Sequence, residues 1–198
     1  MDQQHPSPSR WAIVLAGGEG TRMQPLVHRW LGFNRPKQYC AFVGSRSIFQ
    51  HTVDRAALVT APERIVAVVG RDHRDEILTQ LQGRTIGQVI YQPRNCETAA
   101  GLFLPLTYIH ARAPGATVVI FASDHFIHPE DRFLAAVCRM AGLAETMPDR
   151  LVLLGIRPDR LEMEYGWILP GTALSSPEEA PICEVHSFME KPNRIQAV

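Results

Sequence analysis

Leu15-Ala-Gly-Gly-Glu-Gly-Thr-Arg22, directly behind the apolar run Trp11-Ala-Ile-Val-Leu15, is the stretch from which the fold can be read. A short β-branched run feeding a glycine-rich turn can bring backbone N–H groups up against phosphate oxygens. Gly17, Gly18 and Gly20 can take positive φ and put no Cβ in a ligand's way. Consecutive N–H groups in such a turn form an anion-binding concavity, to which Arg22 adds a planar, permanently charged fork. The run reads GGxGTR, so it is neither the P-loop GxxxxGK[ST] nor the dinucleotide fingerprint GxGxxG. The glycines alone are equally well read as a plain strand-to-helix turn. Arg22, and Lys37 further on, favour phosphate.

Working outward from this loop, strand-like and helix-like segments alternate. Strands are predicted at 11–16, Arg64–Val69, Gln88–Gln92, Thr117–Ala122 and Leu151–Gly155. They are nearly continuous in apolar residues, as expected of parallel strands covered on both faces. Helical patterns fall at about 47–59, 72–82, 97–112 and 130–146. The first opens with the capping box Ser47-Ile-Phe-Gln50 and the fourth starts at Pro129. Pro105 is expected to kink or break the third, and Val27–Asn34 reads as a loop. Two further strands, Tyr165–Leu169 and Cys183–Met189, flank a surface loop at 170–181. The repeated βα rhythm predicts a three-layer α/β fold with a mostly parallel sheet. Ligands of such sheets bind beyond the carboxyl ends of the strands. A site is therefore expected where Gly17–Arg22, Gln92–Thr98 and Ser123-Asp124-His125 converge.

The chain has 198 residues, enough for one sizeable core. Its 20 basic and 20 acidic residues cancel, so bulk charge points to neither nucleic acid nor an anionic membrane. No apolar stretch approaches the roughly 20 residues of a membrane helix. Residues 1–10 are polar, carry prolines and lack an apolar core, which reads as a disordered lead-in and not as a signal peptide. Cys40, Cys96, Cys138 and Cys183 are far apart without a CxxC pair, which suggests neither zinc nor a disulfide framework and fits a cytoplasmic protein.

Chemistry-bearing residues gather at the strand ends. Asp124 ends an apolar strand, where a carboxylate can hold Mg²⁺ shared with substrate phosphates or, alternatively, cap the next helix. His125 and His128 lack a third ligand nearby and are read as structural. In Arg35-Pro-Lys-Gln38, Pro36 stiffens the approach of Lys37, a point charge for a phosphate or a solvated turn. Gln92 and Asn95 carry amides that could read a base edge, with an N-cap by Asn95 or Thr98 as the alternative. Glu190 and Lys191 are neighbours on a strand and point to opposite faces unless the strand ends or bulges there.

The segments LAGGEGTRMQPL, RPKQYC, QPRNCETAAGL, FASDHFI, EYGWI and FMEKP occur in this order from about Trp11 to Pro192. Together they resemble the sugar-1-phosphate nucleotidyltransferases, most of all their mannose-1-phosphate guanylyltransferase branch. The resemblance implies a Rossmann-like nucleotidyltransferase fold and a catalytic domain over 11–198. It implies nucleotide binding by Leu15, Ala16, Gly17, Gly18, Gly20, Thr21, Arg22, Gln92, Asn95 and Thr98. Sugar-phosphate binding falls to Gly166, Glu190 and Lys191, and the catalytic set is Arg22, Lys37, Asp124 and Lys191, with Mg²⁺ on Asp124. The implied reaction joins an NTP, by this reading GTP, to a sugar-1-phosphate, by this reading mannose-1-phosphate, in GDP-mannose biosynthesis. The expected partners are these small molecules, with no nucleic acid or membrane and with a homo-oligomer left open. Three segments depart from the family pattern: Met23-Gln-Pro-Leu26 stands where Leu-Trp-Pro-Leu is usual, the Arg22–Lys37 loop is long, and Cys96-Glu97 is inserted in the base-side segment. The family also continues past Pro192, so the domain is expected to be truncated at its C-terminus. The competing readings are an inactive nucleotide-sugar-binding or regulatory module, and an enzyme using glucose-1-phosphate with UTP, dTTP or ATP.

Overall fold

Ala12, Ile13 and Val14 are wholly buried because their strand, β1 (Arg10–Ala16), has a partner on each side and helices over both faces. The structure, a computed structural model, describes residues 10–95, 97–175 and 181–194. The lead-in up to residue 9, Cys96 and residues 176–180 of the expected surface loop lie outside the described residues. The chain divides into two compact units, Met1–Val152 and Leu153–Val198.

In the first unit, β1 pairs in parallel with β2 (Ile65–Gly70) and with β4 (Thr117–Ala122), and β3 (Gln88–Gln92) adds outside β2. The order is β3-β2-β1-β4. The chain builds outward from β1 to β3, then returns to the other side of β1. Right-handed crossovers place the connections of the outward and return journeys on opposite faces. Accordingly α2 (Ile48–Ala56) and α3 (Arg74–Gln80) cover one face, joined there by α5 (Glu130–Thr146). Their Phe49, Val53, Ala56, Ile77 and Val137 pack with Ala12, Val14, Ala16, Ile65, Ala67 and Val69. The opposite face of the strands, with Ile13, Val66 and Val68, packs on Ile109 of α4 (Glu97–His110). Side chains alternate between the faces because the strand period is two. This is the expected three-layer parallel arrangement.

Local signals explain some element boundaries. At the start of α2 the Ser47 hydroxyl accepts from Gln50 N–H at 3.1 Å, and Gln50 Oε1 accepts from Ser47 N–H at 3.0 Å, closing the expected capping box. α4 runs through Pro105 without ending there, and the proline is buried. Two expectations need correction. Leu151–Gly155 forms no strand: Leu151 is 95% exposed and Leu153 55% exposed. An apolar run becomes a strand only when a ladder and a covered face receive it, and this segment has neither among the described residues. The loop expected at 27–34 is largely helix, α1 (Gln24–Leu31), with Pro25 in its first turn and Gly32 closing it at φ +81°. Leu26, Val27, Trp30 and Leu31 do follow helical spacing, but in a helix of eight residues only, and Val27 alone is buried.

The second unit contains an antiparallel pair, β5 (Gly166–Ala173) and β6 (Cys183–Glu190). β6 lies within a residue of its expected limits. β5 continues to Ala173 and so corrects the start of the surface loop expected at 170–181, because residues 170–173 run on as strand beside β6. Gly166 pairs with Glu190 and Ile168 with Phe188, and the register shifts on either side of Pro170. No helix among the described residues is long and apolar enough to cross a membrane.

Candidate active site

The sheet order reverses between β1 and β4, so the loops leaving their carboxyl ends diverge and leave a crevice. Gly17–Arg22 leaves β1 on one side of that crevice, and Ser123-Asp124 leaves β4 on the other. The two are tied together. Ser123 donates to the Leu15 carbonyl through its N–H at 3.1 Å and its hydroxyl at 2.6 Å.

Within the glycine loop, Gly20 alone takes the left-handed conformation, at φ +61°, where it precedes the 3₁₀ turn Thr21–Met23. The expectation of positive φ at Gly17 and Gly18 is corrected. Gly17 instead lets the Gln92 amide pack close, since a Cβ there would have to displace Gln92 Oε1. The loop is held from beneath by a buried segment that follows Pro36. Gln38, 2% exposed, donates from Nε2 to the Ala16 carbonyl at 3.1 Å and to the Gly18 carbonyl at 2.7 Å. Tyr39 donates its hydroxyl to the Ala16 carbonyl at 3.5 Å. Burial, aided by the charge of Glu76, pushes the Tyr39 phenol well above the usual tyrosine range, which keeps it protonated and able to donate. Among the described residues, the N–H groups of Gly18, Glu19 and Gly20 donate to no protein acceptor. Gly18, Glu19, Thr21 and Arg22 are exposed.

Lys37 and Asp124 meet across the crevice, with Nζ 2.7 Å from Oδ2 and about a third of each side chain accessible (31% and 34%). His125 lies on the other carboxylate oxygen, Nε2 to Oδ1 at 3.4 Å. Lys37 also backs onto the glycine loop, because a Cβ on Gly20 would sit 3.2 Å from its Cγ. Beside the pair opens a hollow of about 330 Å³, walled mainly by apolar side chains such as Met23, Leu26, Phe42 and Phe126. Among the described residues no three His, Cys, Asp or Glu side chains gather as a ready-made metal cage.

The base-side candidates are divided by the structure. Gln92 is buried at 5% exposure, its amide between Gly17 and Gly101. Asn95 is exposed, and its side-chain oxygen accepts from Glu97 N–H at 3.0 Å, a turn bond to the first residue of α4. Glu97 takes φ +62° and Thr98 is exposed on the first turn of α4.

In the second unit, Gly166, Glu190 and Lys191 come together at one end of the β5–β6 ladder. A Cβ on Gly166 would collide with Phe188 Cζ and lie 3.0 Å from Glu190 Oε2. Lys191 N–H donates to the Tyr165 carbonyl at 3.2 Å, while Lys191 itself takes φ +45°. A non-glycine residue in that region costs roughly 1–2 kcal/mol, and such strain concentrates at functional positions. The conformation also breaks the alternation of the strand, so Glu190 and Lys191 are released from the opposite faces that regular β geometry imposes.

The profile of the nucleotidyl transferase family matches residues 11–197, nearly the whole chain. The chain belongs to the nucleotidyl transferase family. Among curated relatives, the mannose-1-phosphate guanylyltransferase of Salmonella montevideo is 32% identical over 185 residues, covering 91% of this chain and 37% of that protein. That of Escherichia coli K12 is 31% identical over 187 residues, covering 92% and 38%. The chain thus spans well under half the length of these relatives. A solved structure described as mannose-1-phosphate geranyltransferase from Thermus thermophilus superposes with a TM-score of 0.77 at 28% identity, covering 96% of this chain and 52% of that one.

Within this nucleotidyl transferase, sequence reasoning assigned no role to Gln38, Ser123 or Tyr39. Gln38 and Ser123 are polar side chains at nearly full burial, at 2% and 1% exposure. The only trace in the sequence is that each sits next to a charged candidate, Lys37 or Asp124.

Proposed function

We propose that this chain carries the catalytic region of a sugar-1-phosphate nucleotidyltransferase that joins GTP to mannose-1-phosphate, giving GDP-mannose and pyrophosphate. The observation that carries the reading is the Lys37–Asp124 pair set against an outward-facing glycine loop at the β1/β4 switch point. In this role the free N–H groups of Gly18, Glu19 and Gly20 hold triphosphate oxygens, and Arg22 and Lys37 bind them as cations. Lys191 binds the sugar phosphate and Glu190, across from Gly166, faces the sugar. Asn95 and Thr98 line the base side, while Gln92 acts from within by shaping the floor under Gly17.

The chemistry needs little acid–base help, since the attacking sugar phosphate oxygen is already an anion. It displaces pyrophosphate from the α-phosphorus in line. What the chain supplies is orientation and neutralising charge at the oxygens where charge builds. Asp124 fits Mg²⁺: it is an oxygen donor that already holds one cation, the ammonium of Lys37, and Mg²⁺ usually takes one or two carboxylates and fills its remaining positions with phosphates and water. When bound, the ion would supply charge neutralisation shared between the phosphates. An ion pair as accessible as Lys37–Asp124 contributes only about 0–1 kcal/mol, so phosphate and metal ligands can readily displace it.

Pyrophosphate release from GTP plus mannose-1-phosphate tests the proposal, with ATP, UTP and dTTP and with glucose-1-phosphate as comparisons. Release with GTP and mannose-1-phosphate above every other pair is expected. Nucleotide binding without release from any pair would instead favour a binding or regulatory module, and preference for another pair would overturn the assignment of base or sugar.

A further inference from the structure

Three carbonyls at the root of the glycine loop have protein donors. Leu15 is held by Ser123, Ala16 by Gln38 and Tyr39, and Gly18 by Gln38. A trans peptide points its C=O and the following N–H in opposite directions. A donor on the Gly18 carbonyl therefore aims the Glu19 N–H away from Gln38, and the bond to Ala16 does the same for the Gly17 N–H. Gln38 makes both contacts with one nitrogen, whose two hydrogens match the two acceptors. It is uncharged and 2% exposed, so it cannot meet a substrate itself. Its neighbour on the same 3₁₀ turn is Lys37, whose stem lies against Gly20.

From this we infer that Gln38 is a positioning residue, which orients the glycine-loop amides and seats Lys37 for the triphosphate. The inference rests on the proposed nucleotide site and adds to it the part that presents the loop. Leucine keeps much of the side-chain volume but offers no donor. Glutamate keeps the shape but sets an acceptor against two carbonyls.

The test compares wild type with Gln38→Leu and Gln38→Glu in three measurements: unfolding temperature, affinity for inorganic tripolyphosphate, and the KM for GTP against that for mannose-1-phosphate. Tripolyphosphate reads the loop without a base. Folded variants that bind tripolyphosphate about tenfold more weakly, with the GTP KM raised in step and the mannose-1-phosphate KM unchanged, are expected. Folded variants with wild-type tripolyphosphate affinity would overturn the positioning role and leave the proposed function standing. Equal loss for GTP and mannose-1-phosphate would also overturn it, as a general structural defect. A wild-type chain that binds neither tripolyphosphate nor GTP overturns the nucleotide site and this inference with it. Should both variants misfold, the side-chain amide of Gln38 in the unmutated protein gives the reading by NMR. Slow exchange and a shift on adding tripolyphosphate support the role, and a fast-exchanging, unshifted amide overturns it.

Discussion

The parallel-sheet unit and the β5–β6 unit hold their candidate residues by opposite means. In the first, Ile65, Val66, Ala67 and Val69 are wholly buried. The loop that bears Arg22 leaves β1, paired on both sides, Asp124 follows β4, paired to β1, and Lys37 is anchored through the buried Gln38 beside it. In the second, Leu169, Val185 and Phe188 are 55%, 47% and 56% exposed, and Lys191 owes its position to a two-stranded ladder and a strained φ of +45°. An isolated two-stranded ladder is marginal in water. The difference teaches that glycine-loop geometry here is over-determined by the core, whereas Glu190 and Lys191 depend on local backbone geometry.

The largest expected effect is chemical. Asp124→Asn keeps the volume but removes the charge, and turnover should fall by about 1,000-fold with the unfolding temperature nearly unchanged. Full activity in that variant would remove Asp124 from the site. Next comes a direct contrast of the two units. Ile65→Ala in β2 should cost about 3 kcal/mol in urea unfolding, while Val185→Ala in β6 should stay within about 0.5 kcal/mol; similar costs would break the contrast. Lys191→Ala should raise the KM for sugar-1-phosphate about thirtyfold, leaving GTP binding as it was. A matching loss of GTP binding would instead assign Lys191 a shared or structural role.

The smallest effect is a pH dependence confined to the first unit. Burial alone would raise the Asp54 pKa, but its hydrogen bonds and charge pairing with Arg84 and Arg46 outweigh burial and hold it below the ordinary 3.8. A lowered folded pKa stabilises the fold above 3.8, and the contribution is lost as pH falls below that value. Urea midpoints taken between about pH 5 and pH 3 should therefore drop more steeply in wild type than in Asp54→Asn. Parallel curves would show that the arginines do not discriminate between the two forms of the carboxyl group.

Much of the first unit was legible residue by residue. The apolar runs at 11–16, 64–69, 88–92 and 117–122 require cover on both faces, and Ser47 and Gln50 make one helix start unambiguous, because these signals act within a few residues. The failures share one cause. Leu151–Gly155 reads as a strand but is not one, since a strand exists only where another supplies its hydrogen bonds, and no local pattern specifies a partner. α1 escaped notice because its apolar period, Leu26, Val27, Trp30 and Leu31, falls in a helix of only eight residues. Gln92 carried the correct residue type for a base reader, yet its depth between Gly17 and Gly101 depends on how β3 and α4 pack on β1.

By itself the sequence determined the alternation of strands and helices, the glycine loop with Arg22, and the presence of Lys37, Asp124 and Lys191 at element ends, all set by periodicity and residue chemistry. Only the tertiary structure decided that Lys37 and Asp124 share an ion pair, that Gln38 and Ser123 hold the loop's carbonyls, and that a single glycine of the loop is left-handed. The contacts among them join residues 20 to more than 100 positions apart, and contact at such separation depends on the order of strands in the sheet.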